Sequence, residues 1–209
     1  WPVTVWTREK PGMSMKRIGM LCAVSLFCAG FLFAESDEAV YKPITIDIVP
    51  GTGAAGEKVS TNIALGTIGS IVYRVNGLQA AGIMSLAGED VHGLQGSGVF
   101  NIADGSVHGL QGSGVFNISG RRVHGLQAAG VFNVAGEGFS GFQMSGVFNI
   151  AEGDSSFFQT AGVFNVSGSR FSGIPAAGVF NIGERVDGVQ VAGVLNVADE
   201  MHGDRKSAV

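Results

Sequence analysis

Cysteine is almost absent from this chain of 209 residues: only Cys22 and Cys28 occur, both in an apolar segment near the start. A mature chain beginning after that segment would hold no thiol, no disulfide and no cysteine-based metal site. Charge is scarce as well, at 14% of residues, and the net charge of -4 is spread thinly. No basic patch points to nucleic acid, and no acidic tail points to a basic partner. Tryptophan is confined to Trp1 and Trp6, and tyrosine does not recur after Tyr73. There is no phosphate loop with Gly-Lys-Ser/Thr, no His-Glu-x-x-His and no Gly-x-Ser-x-Gly elbow, so the expectation is a protein that is not an enzyme and needs no cofactor. Hydrophobic content of 45% argues against disorder as the default.

What the chain has in abundance is glycine, 34 residues of it, laid out at a fixed period. Gly-Leu-Gln begins at Gly77, Gly93, Gly109 and Gly125, and Gly-Phe-Gln at Gly141, each 16 residues after the last. The Gly ahead of Val-Phe-Asn keeps the same step through Gly82, Gly98, Gly114, Gly130, Gly146, Gly162 and Gly178; only the interval to Gly193 is one shorter. A short fixed period means a stacked array of one small unit.

Ahead of the array, residues 1–14 resemble nothing downstream and read as an upstream, non-native segment. Residues 15–34 have the form of a signal peptide: Lys16-Arg17, an apolar run from Ile18 to Phe33, then Ala34 as the cleavage position. Residues 35–74 hold two alternating stretches, Pro43–Pro50 and Val59–Gly66, expected to be strands that cap the first coil. Eight repeats follow over 75–203, and 204–209 form a C-terminal tail.

Aligned copies give three apolar columns, represented by Leu94, Phe100 and Ile102, all of one parity along an extended strand. The opposite parity holds Gln95, Ser97, Val99 and Asn101. Copies close with turn residues such as Asp104-Gly105-Ser106 and Glu152-Gly153-Asp154. Helix is excluded by recurrent Gly and β-branched residues without a 3.6 period. The fold class is therefore all-β, with two architectures open. In a β-solenoid, the leading expectation, each copy is one coil, Leu94, Phe100 and Ile102 line the interior, and Gln and Asn form amide ladders. That interior would be worth about 5–8 kcal/mol per coil before entropy. In an antiparallel outer-membrane-type β-barrel, each copy is one strand and the same three columns face lipid. The lack of a 32-residue parity and of Tyr and Trp girdles favours the solenoid.

These columns resemble a bacterial surface-repeat family of the spirochaete type, with tandem Gly-Leu/Val-Gln…Gly-Leu/Val-x-Asn units behind an export signal. The likeness spans roughly Pro43–Gly203 and departs at Ser85, Phe157 and Pro175, where Asn, Gly and Gln are usual. The resemblance implies a surface or outer-membrane location and carries no catalytic residues. Pro175 lacks an N–H and should interrupt strand pairing.

Candidate chemistry is sparse. His92, His108 and His124 share one position in three successive copies and would stack as an imidazole column; without a Cys or carboxylate beside them, a solvated column is expected rather than a metal site. Asp104, Glu137, Glu152 and Asp154 lack calcium-repeat spacing. Asn117-Ile-Ser and Asn165-Val-Ser match a glycosylation triplet only by coincidence of the ladder. The expected role is that of an exported structural or adhesive module, at the cell surface or outer membrane or else periplasmic or secreted. It would present Gln, Asn, Ser and Val to a surface ligand or protein, and its open end strands allow self-association. A small outer-membrane barrel, pore or structural, is the competing role.

Overall fold

The computed structural model describes residues 38–52 and 58–207. The expected upstream segment and signal peptide lie outside these residues. Strands β1 (Val40–Tyr41), β2 (Ile44–Asp47), β3 (Val59–Gly66) and β4 (Gly69–Val72) precede a regular alternation. Each regular coil has a long strand, as in β5 (Arg74–Ala81), β7 (Val91–Ser97), β9 (Val107–Ser113), β11 (Val123–Ala129), β13 (Phe139–Ser145) and β15 (Ser155–Ala161). A short strand faces it in β6 (Met84–Ala87), β8 (Phe100–Ala103), β10 (Phe116–Ser119), β12 (Phe132–Ala135) and β14 (Phe148–Ala151). In β16 (Phe164–Ala177), β17 (Phe180–Ala192) and β18 (Leu195–Ser207), a short strand runs on through the turn into the next long one.

Long strands pair with long and short with short, always in parallel and in the repeat register: Leu94 opposite Leu110, Gln95 opposite Gln111, Phe116 opposite Phe132. The chain is thus a β-solenoid. The antiparallel barrel is overturned, because every pairing among the described residues is parallel and each copy turns back on itself as two facing strands. The two stretches expected as caps continue the same stack, β2 pairing with β3 and β3 with β5. Asp204–Ser207, expected as tail, complete β18.

The parity of the interior is the reverse of the expectation. Inside lie Val91, Gln95, Asn101 and Ala103 and their equivalents, while Leu94 and Leu110 remain 45% and 46% exposed. The outward parity includes not only Leu94 and Ile102 but also His92 on the same strand and Asp104 after the short one. Turning the large apolar residues inward would bury imidazoles and carboxylates without partners, at several kcal/mol each. Turning Gln and Asn inward costs little, because the stack satisfies them.

That satisfaction is nearly complete. Gln95 donates from Nε2 to Gln79 Oε1 at 2.9 Å, and Gln111, Gln127, Gln143 and Gln159 each donate to the preceding Gln at 2.8 Å. The Asn ladder runs the other way: Asn101 donates to Asn117 at 2.8 Å, and Asn117 and Asn133 each donate to the next Asn at 2.9 Å. Each Asn also donates to a carbonyl at the corner of the following coil, Asn133 to Met144 O at 2.6 Å.

The remaining interior is filled by size matching. Ser155 separates Phe139 and Phe171 in one column, and its small side chain lets their rings approach to 5.8 Å between centroids. Gly183 leaves room for Val186, whose Cγ2 lies 2.9 Å from where a Cβ would stand. At the corner, a Cβ on Gly98 would sit 2.2 Å from Gly82 O, so glycine is required there by coil-to-coil approach. At Gly93 the reason is conformational too, with φ of +126°. Phe157 occupies the same column at φ of +96°, the one positive-φ residue other than glycine among the described residues.

Pro175 does interrupt the pattern. The register of β16 with β17 passes from Gly173 opposite Gly188 to Ala176 opposite Val191, with no pair at Pro175. Pro175 also stands where the Gln ladder would continue, and the buried Gln159 Oε1 is left without a partner.

Two stability predictions follow from the inverted interior. Asn133→Leu should cost about 2–4 kcal/mol by stranding a corner carbonyl and two amide groups, whereas Leu110→Asn on the outside should cost less than about 1 kcal/mol; urea melts of the two variants decide this, and equal costs would refute it. Pro175→Gln should stabilise the fold by about 1 kcal/mol, since a restored amide bond outweighs the rigidity lost with proline; an unchanged or lower midpoint would count against a broken ladder.

Candidate functional surface

Because amides fill the inside, the outside carries the hydrophobic ladders. On the long-strand face runs the column of Leu94, Leu110, Leu126 and Phe142. On the short-strand face, Phe100, Phe116, Phe132 and Phe148 stack with ring centroids 4.9 Å apart and interplanar angles of 7° or less. Ile118, Val134 and Ile150 form a second row that is buried, with Phe116, Phe132 and Phe148 packed against it. The faces meet at a corner lined by Val99, Val115, Val131 and Val147, whose N–H groups each donate to the preceding coil, as Val115 does to Val99 O at 2.8 Å.

Charge is sorted away from this surface. Segments 77–86, 93–102, 109–118, 125–134, 141–150, 157–166, 173–182 and 188–197 contain no Asp, Glu, Lys, Arg or His. The charges of the array fall in the turns opposite the corner and in the first residues of the long strands. Each coil is therefore amphipathic across its own width, with an apolar corner and a polar turn edge.

The polar edge holds the residues that the sequence singled out. His92, His108 and His124 are exposed and stack in single file, with centroids 4.8 Å apart and interplanar angles of 5° and 13°. Parallel rings in file do not converge on one ion, and among the described residues no group of three or more His, Cys, Asp or Glu is placed to hold a metal. Partial burial, reinforced by the neighbouring His108 and by Arg122, lowers the pKa of His124 below that of a free imidazole. Burial with Glu89 nearby pushes the Asp104 carboxyl up to about 6, and burial also raises Glu152. Asp154 is held low by Ser169 Oγ, which donates to it at 2.6 Å, and by the Arg170 N–H at 3.2 Å. Further along, Arg170 pairs with Asp187, and Arg185 donates from Nε to Glu200 at 2.7 Å. Such exposed pairs add little stability.

The Gln and Asn columns, expected as a presented polar face, are buried at 0–2% exposure along the regular coils. They are not a recognition surface, and Asn117 and Asn165 inside the ladder are closed to glycosylation. The presented surface is Leu, Phe and Val. One signal could have revealed this from the sequence: His92 shares strand parity with Leu94, and a strand does not turn both a run of imidazoles and its core inward.

The fold thus defines a β-solenoid with amide ladders inside and apolar ladders outside. Comparison with protein-family models, curated proteins and solved structures finds no match to this chain.

Asp104 gives a pH prediction. Its folded-state pKa of about 6 lies above the ordinary carboxylate value of 3.8, so the fold favours its protonated form. Stability from this group is present at acidic pH and falls as pH rises from about 4 through about 6. Asp104→Asn should therefore raise the melting temperature at pH 7.5 and lose that advantage at pH 4; the same gain at both pH values would refute the assignment.

Proposed function

We propose that this chain is an exported, non-enzymatic repeat protein of the bacterial surface or outer membrane, with a structural or adhesive role exercised through its outward apolar columns. The observation that carries the reading is the Leu, Val and Phe surface on both faces and the corner. Apolar patches of that extent on a folded protein mark interaction sites. The signal-like segment ahead of Glu35 and the resemblance to surface-repeat proteins supply the compartment. Recognition would be spread over many coils, because a repeated array offers like residues at every rung instead of one convergent pocket.

End-to-end self-association is the weaker mode of contact. The last coil places Asp204, Arg205 and Lys206 where β17 has Val189, Gln190 and Val191. A charged edge strand opposes addition of a further strand. A secreted or periplasmic binder using the same faces is the second reading, supported by the signal-like segment alone.

Expression of the full chain in a bacterium with two membranes tests the proposal. The expected product is envelope-associated, begins at Glu35 by N-terminal sequencing, and is cut by protease added to whole cells. Recovery of uncut chain in the cytosol would overturn the reading; a processed chain in the medium would favour the second one.

A further inference from the structure

Resting on that reading of an envelope interaction module, we propose that the solenoid inserts its valine corner edgewise into the acyl layer of a membrane leaflet. The strands stand along the membrane normal, and the charged turns remain in the headgroup and water phases. Five features of the structure point to lipid as the occupant.

The apolar surface is not a flat patch. It wraps from Leu110 on one face, around Val115, to Phe116 on the other. A rigid partner, including a second copy of this chain, can lie against one face at a time; a fluid hydrocarbon medium covers both faces and the corner together. Hydrocarbon requires backbone polar groups to be paired, and the valines of the corner meet this. Their N–H groups are paired coil to coil, Val131 to Val115 O at 2.8 Å and Val147 to Val131 O at 2.9 Å. Inward of the corner, each Asn donates to a backbone carbonyl of the following coil, Asn117 to Ala128 O at 2.6 Å.

The dimensions agree as well. From Leu94 to the strand end at Ser97 the chain descends about 10 Å at about 3.3 Å per residue before it bends through Val99, within the half-thickness of a hydrocarbon core of about 30 Å. Above that depth comes the row of His92, His108 and His124, then the charged turns, as an interface requires. Lengthwise, Asp204, Arg205 and Lys206 interrupt the apolar column opposite Val189, Gln190 and Val191. The large polar side chains of the interior do not oppose insertion, because Gln111, Asn117 and their ladder neighbours are bonded to one another and remain within the coil.

Site-directed spin labelling tests the insertion independently of the apolar N-terminal segment. The full chain, with Cys22 and Cys28 replaced by Ser, carries a nitroxide at V131C, at V147C or at R121C. Power saturation by oxygen and by a water-soluble nickel chelate is read with and without phosphatidylethanolamine–phosphatidylglycerol vesicles. The expected result is that labels at V131C and V147C become oxygen-accessible and nickel-protected on vesicles, while the R121C label stays nickel-accessible. V115D combined with V147D should weaken vesicle binding by roughly tenfold or more, with an unchanged circular dichroism spectrum. Nickel access at both corner labels on vesicle-bound protein would overturn the proposal. Corner protection without lipid, together with doubled mass in sedimentation, would overturn it in favour of a second copy and leave the interaction-module reading standing. Corner labels open to nickel on vesicles and in whole cell envelopes alike would overturn both.

Discussion

The amide of the inward asparagine is the interaction on which the rest of the stack depends. Asn133 accepts from Asn117, donates to Asn149 at 2.9 Å, and donates to Met144 O at 2.6 Å. One side chain thereby links three coils and ties the short strand to the carbonyl just ahead of the glycine corner. A buried unpaired carbonyl costs about 1–3 kcal/mol, so the corner and the ladder stand or fall together. The Gln ladder on the facing strand donates toward the N-terminal end and the Asn ladder toward the C-terminal end, so their amide dipoles oppose each other across the interior. Both fix register, since a shift of one residue would put Leu or Phe where an amide is needed.

Around this polar spine the apolar interior is narrow and matched by size. Val shares the coil interior with Ala at Val75, Val91, Val123 and Val186, and where Phe139 and Phe171 enter, Ser155 between them makes the room. Departures from the repeat have local consequences. Pro175 ends the Gln ladder and leaves Gln159 Oε1 open. Phe157 takes a backbone conformation that its neighbours in the column fill with glycine, and its ring, 61% exposed, meets Phe142 at 5.0 Å on the outer face. A strained, solvent-facing aromatic adds nothing to the core; it adds to the apolar exterior.

The outcome combines solenoid connectivity with a polarity more familiar from membrane-facing proteins. Backbone groups are paired between coils, large polar side chains are turned in, and large apolar side chains are turned out. Charge is displaced to the turn edge of every coil. An exterior of this kind is costly in water unless something covers it, and the corner geometry limits what can.

The parallel like-on-like stacking, one of two architectures open to the sequence, was settled by the structure. The sequence alone determined the period, the recurring glycines, the all-β class and the break at Pro175. Each of these follows from spacing or from a backbone property of one residue type. It also placed Leu94, Phe100 and Ile102 on one side of the strand and Gln95 and Asn101 on the other. Which side faces inward was decided only by the tertiary structure. Period-two alternation is symmetric between the faces, and hydrophobicity read one residue at a time favours burying Leu, Phe and Ile. Stacking reverses that preference: it supplies each amide with partners from neighbouring coils, which no isolated copy has, while His92 and Asp104 on the opposite parity would find none.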